Sequence, residues 1–120
     1  RTRMASTHRV GRVRQLLLRE LSDIVGRMRD PRVRLVTVAD VEVTKDLRNA
    51  TMYVSVIGDN QQRDEAIGAL EAAVGHLRYE VAQRIQLRQV PEIRVEYDSS
   101  LERAARVTAL IDGLHKEADA

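Results

Sequence analysis

Cysteine is absent from this 120-residue chain, which excludes disulfides, thiolate nucleophiles and cysteine-held zinc. Phe and Trp are absent too, and Tyr53, Tyr79 and Tyr97 are the whole aromatic complement. Any core is therefore aliphatic, filled by Val, Leu and Ile. Sequence-tolerant single-strand binders stack bases on aromatic platforms. Three tyrosines embedded in strand and helix patterns, with Tyr97 among the core positions, do not build one. No apolar run approaches the length of a membrane span, about 18 residues, and no signal peptide is visible. The expectation is a soluble, cytoplasmic protein.

Catalytic constellations are lacking as well. His8, His76 and His115 lie far apart, in no metal-ligand spacing. No serine occupies a nucleophile elbow, and the lone glycine of "VGRV" is not a phosphate-binding loop. Carboxylates such as Glu65 and Glu71 suit a solvated helix face. The sequence argues against an enzyme, a metal site and a bound cofactor.

What is present is positive charge at one end. The net charge is only +2. Residues 1–34 set ten Arg against three acids, leaving +7; the remainder sets ten basic against fifteen acidic residues, leaving −5. Arg outnumbers Lys by 18 to 2. A GC-rich genome explains that choice of cation, but not where the surplus lies. A basic end on an otherwise acidic chain points to a polyanion, nucleic acid first.

The length suits one domain with a single core, residues 1–120, with 1–6 flexible. "RTR" before Met4 reads either as native or as an addition ahead of the native start. Ser6 or Thr7 caps a first helix running to about Met28, whose apolar stripe is Val10, Val13, Leu17, Leu21, Ile24, Val25 and Met28. At about 100° per residue, Arg9, Arg12, Arg19 and Arg27 fall in a sector of roughly 80° away from that stripe. Asp30-Pro31 ends the helix. "VRLVTVADVEV" then alternates at Val36 and Val38 and again at Val41 and Val43; the phase change near Ala39-Asp40 predicts a bulge. "TKDLRN" turns, and "ATMYVSVI" returns with Ala50, Met52, Val54 and Val56 on one face. The hairpin tip shows Lys45 and Arg48 beside Asp46.

Gly58-Asp59-Asn60 ends the hairpin and caps a further helix. A third strand spans 92–98 after Pro91. Ser99 with Glu102 then spells a capping box for a last helix with Val107, Ile111 and Leu114 inward. The fold class is α+β, a three-stranded sheet covered on one face by helices.

Between the second and third strands, Leu70, Val74, Leu77, Val81 and Ile85 keep helical spacing straight through Gly75, although a glycine within a helix costs about 1 kcal/mol relative to Ala. Either Gly75 lets a neighbouring element approach closely, or it ends one helix at positive φ and lets another start at a new angle. The unbroken stripe favours close approach; the composition leaves the two even.

The order strand, helix, joint, helix, strand is that of the KH module, whose joint is a Gly-x-x-Gly loop clamping single-stranded nucleic acid. No Gly-x-x-Gly is present here. Four segments, "HRVGRVRQLLLRELSDIV", "DPRV", "VTVADVEVTKDLRNATMYVSV" and "ALEAAVGHLRYEVAQRIQLRQVPEIRVEYDSSLERAARV", cover almost the whole chain. With "LR-x-VPEI-x-V-x-YD-x-S" downstream of "T-x-DL-x-x-A", the sequence resembles the ribosome-binding factor A family of bacterial small-subunit maturation proteins. The resemblance implies a single type II KH-like domain in which an Ala-x-Gly kink replaces Gly-x-x-Gly. Ala73, Val74 and Gly75 match that kink, which tips Gly75 toward the joint. Ala104, where many members carry Gly, departs from the pattern.

The resemblance also implies a non-catalytic factor that binds the free 30S subunit and 16S rRNA. It would promote late 16S rRNA processing near the 5′ end and support growth in the cold. A monomer is expected, since no apolar stripe is left over, with assembly GTPases as further partners. Candidate RNA-binding residues are Arg9, Arg12, Arg19 and Arg27 on the first helix, with Arg9 and Arg12 foremost because Arg offers bidentate donors to phosphate. His76 and Arg78 flank the joint, Arg78 alternatively pairing with an acid such as Glu71. Lys45 and Arg48 at the hairpin tip and Arg84 and Arg88 before Pro91 complete the set. The alternatives are a protein-interaction module that docks a ribosomal protein or GTPase through its acidic second half, and a generic KH-like single-strand binder.

Overall fold

The computed structural model describes residues 2–100, with side chains from residue 8 onward. The expected last helix (Val107, Ile111, Leu114), the Glu102 half of its capping box, Ala104 and His115 lie outside the described residues.

Helix α1, Thr2–Gly26, runs through Ser6 and Thr7, the residues expected to cap it. Residues 2–9 contain neither Pro nor Gly, and Arg, Met and Ala are strong helix formers, so nothing halts the helix there. Val13, Leu17, Leu21, Ile24 and Val25 are buried, with Val10 and Met28 half-buried. The Asp30 carboxylate then accepts hydrogen bonds from the Arg32 guanidinium (2.6 Å) and backbone N–H (2.9 Å), capping a single 3-10 turn, Pro31–Val33. The guanidinium holds the Asp30 carboxyl down at about 2.

Strands β1 (Val36–Val43) and β2 (Asn49–Val56) form an antiparallel hairpin whose register shifts between Val38 and Asp40. That is where the sequence changes phase. The bulge is anchored from α1: Arg14 Nε donates to Val41 O at 2.9 Å, and its Nη2 reaches Asp40 Oδ1. Strand β3 (Glu92–Tyr97) lies beside β2 and parallel to it, giving the order β1-β2-β3. A parallel neighbour requires a crossover, here made by α2 (Asn60–Ala72) and α3 (Val74–Arg84). Val38, Val41, Ala50, Met52, Val54, Ile93 and Val95 are buried on one face of the sheet, while Glu42, Asn49, Glu92, Arg94 and Glu96 are exposed on the other. Leu17, Leu21, Leu70, Leu77 and Val81 close the core from the helices. Tyr97, expected in the core, is half-buried; the Arg63 guanidinium lies 4.7 Å above its ring.

The helical segment is divided at Ala73 (φ −95°, ψ 5°), whose N–H still bonds Ala69 O and Leu70 O. Gly75 performs neither expected task. Its φ is not positive, and a Cβ placed on it would meet nothing within 4 Å. It is a helical residue in the first turn of α3, so only the entropic cost of glycine remains. Gly75→Ala is therefore expected to raise stability by about 0.5–1 kcal/mol, read as a higher urea midpoint at unchanged slope. A lower midpoint would restore a conformational role to the glycine.

Candidate nucleic-acid interface

The hairpin tip is locked by its own side chains. Leu47 N–H donates to Thr44 O at 2.9 Å, and Thr44 N–H donates to Asn49 O at 2.9 Å. The Thr44 hydroxyl donates to Asp46 Oδ1 at 2.6 Å, and the same oxygen accepts from Arg48 N–H at 3.0 Å. These bonds, the Thr44 hydroxyl foremost, hold the Asp46 carboxyl below its usual range. To close the turn, Leu47 takes φ 60°, the left-handed region that Gly and Asn tolerate and leucine rarely enters.

The chain between α3 and β3 is fixed with equal care. Arg78 Nη2 donates to Val90 O at 3.0 Å and its Nε to Pro91 O at 3.1 Å, with Glu92 3.6 Å away. Its partners are thus two carbonyls and Glu92, not Glu71: α3 points Arg78 toward the following loop. Glu92 N–H donates to Arg48 O at 2.8 Å, tying that loop to the hairpin tip.

Between these two tethered segments and the first half of α1 lies an open cavity of about 560 Å³. Arg9, Arg12, Lys45, Arg48 and Arg88 line it, all exposed. Asp46 is its one acidic lining residue, and Leu16, Leu47, Ile85 and Leu87 supply apolar floor. Among the described residues, none of the five cations makes an ion pair.

The other candidates fall elsewhere and are mostly engaged. Arg84 Nη1 bonds Asp23 Oδ2 at 2.6 Å and approaches Glu20 Oε1 at 3.4 Å, joining the end of α3 to α1. Arg27 bonds Asp23 at 2.9 Å and Arg19 bonds Glu20 at 3.1 Å. The Arg84 hydrogen bond, then that of Arg27, lowers the Asp23 carboxyl below its ordinary 3.8. His76 is exposed near the joint. The α3 helix of 11 residues, about 16 Å long, separates the joint at Ala73 from the basic cavity.

Sequence reasoning missed the apolar floor. Leu47 and Leu87 carry no periodic signal, and only the folded chain places them under the cations. It also took every tyrosine as embedded, whereas Tyr79 is exposed; Tyr79 does not line the cavity. Among the described residues there is no cluster of His, Cys, Asp or Glu fit to hold a metal, and no helix long and apolar enough to cross a membrane.

The sequence model of ribosome-binding factor A matches residues 9–111. The chain belongs to the ribosome-binding factor A family. It is 42% identical over 111 residues to ribosome-binding factor A of Desulfitobacterium hafniense, covering 92% of this chain and 89% of that one. The crystal structure of ribosome-binding factor A from Thermus thermophilus superposes with a TM-score of 0.68 at 26% identity, over 73% of this chain and 93% of that one. A Thermus thermophilus homology model fitted into the cryo-EM map of a 30S complex gives a TM-score of 0.64 at 26% identity, with the same coverage. The α+β arrangement of three strands and three α-helices among the described residues is thus similar to that of solved ribosome-binding factor A structures.

Proposed function

We propose that this protein is a non-catalytic assembly factor. It binds the 30S subunit by holding 16S rRNA phosphates at the basic cavity, and it promotes late 16S rRNA maturation, including in the cold. The observation that carries this reading is the convergence of five cations from three separate segments on one concavity, while Arg19, Arg27 and Arg84 are engaged in ion pairs with Glu20 and Asp23. Arginine and lysine held apart from carboxylates remain available to phosphate. The Thermus relative fitted into a 30S map supports the same partner.

The element order and the break at Ala73 fit a type II KH-like domain whose joint, in place of Gly-x-x-Gly, is centred on Ala73 at the head of the Ala73-Val74-Gly75 segment. In this reading His76 and Arg78 are secondary to the cavity, Arg78 acting by tethering the loop that carries Arg88. Binding must favour the immature subunit, because a ligand shifts an equilibrium only through differential affinity.

The test is co-sedimentation with purified 30S subunits, 50S subunits and 70S ribosomes across a salt series. Binding to 30S alone, weakening steeply as salt rises, is the expected outcome. Binding that weakens little as salt rises would favour docking on a ribosomal protein or GTPase over phosphate contact. No binding at low salt would remove the function and leave the fold.

A further inference from the structure

The floor of the cavity is not what phosphate binding alone requires. A duplex presents phosphates on its outside and keeps its bases stacked within, so a surface that met only a duplex would need exposed cations and no apolar basin. Here the cations surround Leu16, Leu47, Ile85 and Leu87. The volume of about 560 Å³ falls within the range of small-molecule sites, about 300–1,000 Å³. Both walls are preformed by the bonds between Arg78 and the loop and between Glu92 and Arg48, so little ordering is left for the ligand to drive.

Leu47 adds an independent pointer. At φ 60° the turn would be relaxed by Gly or Asn, yet a leucine occupies it, partly buried against the core and lining the cavity. Backbone strain of this kind persists where the surroundings hold it and often marks a working site.

We infer that the cavity is a nucleotide site. It takes one unpaired nucleotide extruded from a single-stranded stretch or bulge of RNA, with the base against Leu47 and Leu87 and the flanking phosphates on Arg9, Arg12 and Lys45. With no aromatic ring in the lining, the base is held by aliphatic surface and by guanidinium planes, which stack on bases as rings do. The RNA recognised is therefore an unpaired segment, and the site lies at the opposite end of α3 from the KH-type joint. This deepens the rRNA-contact reading and rests on it.

The experiment is a fluorescence anisotropy titration of the full chain with three RNA probes: a blunt two-stranded duplex with no loop, the same duplex carrying a one-nucleotide bulge, and a short unstructured strand. Wild type is expected to bind the bulged and single-stranded probes about tenfold tighter than the blunt one, a difference of about 1.4 kcal/mol. Leu47→Asn, which suits the left-handed turn, is expected to abolish that preference while leaving the salt dependence unchanged; Leu87→Ser is expected to do the same. Equal affinity for all three probes, or a preference that survives both substitutions, overturns the nucleotide site. If 30S co-sedimentation persists in either of those cases, the broader reading stands without it; if no probe and no 30S subunit is bound, both fall.

Discussion

Arg9→Glu combined with Arg12→Glu is expected to release the protein from 30S subunits, with affinity falling about 100-fold or more, since each lost charge-assisted hydrogen bond is worth about 1.5–3 kcal/mol and every 1.4 kcal/mol is tenfold. The paired control, Arg19→Glu with Arg27→Glu, makes the same formal change on the same helix. It should lower affinity far less, because those side chains face Glu20 and Asp23 and not the cavity. Salt gives a second readout. Each phosphate contact contributes a slope of about 0.7–0.9 in log affinity against log salt, so losing two of them flattens the slope by about 1.4–1.8 as well as lowering its intercept. Equal losses in both double mutants would mean that the whole helix face, not the cavity, meets the RNA. Retention of binding in the first would move the site to the joint.

The contrast between those two pairs shows where sequence reading stops. Periodicity fixes the angle of a side chain around a helix, and it placed Arg9, Arg12, Arg19 and Arg27 on one side of α1. It does not say what packs beside each position along the axis. Arg9 and Arg27 are 18 residues apart, which is about 27 Å of helix at 1.5 Å per residue. Arg9 lines one cavity with the hairpin tip and the loop after α3, whereas Arg27 pairs with Asp23 one turn back. That second pairing has i, i+4 spacing and was legible in principle.

The hairpin and its bulge were legible in alternation at period two interrupted by Ala39-Asp40, and the third strand in its own alternation, but its parallel pairing with β2 was not read. The role of Arg14 in anchoring the bulge was not, since it acts across 26 and 27 residues of chain. Gly75 is the opposite case. Composition marked it as special, but the chain divides two residues earlier, at Ala73, the first residue of the segment the family resemblance pointed to.

Stability rests on a core without aromatic rings, and this sets the expected scale of the second large effect. Leu77→Ala is expected to cost about 2–5 kcal/mol. Its side chain is fully buried, in one cluster with Leu17, Met52, Leu70 and Val81, and the loss adds a cavity to the lost transfer energy. For a chain of this size that is a drop of about 10 °C or more in Tm, and a large part of a typical total of about 5–15 kcal/mol. Thermal melts followed by circular dichroism would read it, with Tyr79→Ala on the same helix as the exposed control, expected within about 0.5 kcal/mol of wild type. Leu77→Met should cost less than about 1.5 kcal/mol, because the volume is nearly kept. Aliphatic side chains are the only large apolar groups available to refill the space, and Met52, Leu17 and Leu70 already have no exposed surface to give up. Since α3 also carries Arg78 and Arg84, the truncation should loosen both the loop that holds Arg88 and the link to α1. RNA affinity in Leu77→Ala should then fall well below the melting temperature. A variant that melts early yet binds normally would show that the basic cavity is held in place by the hairpin and α1 alone.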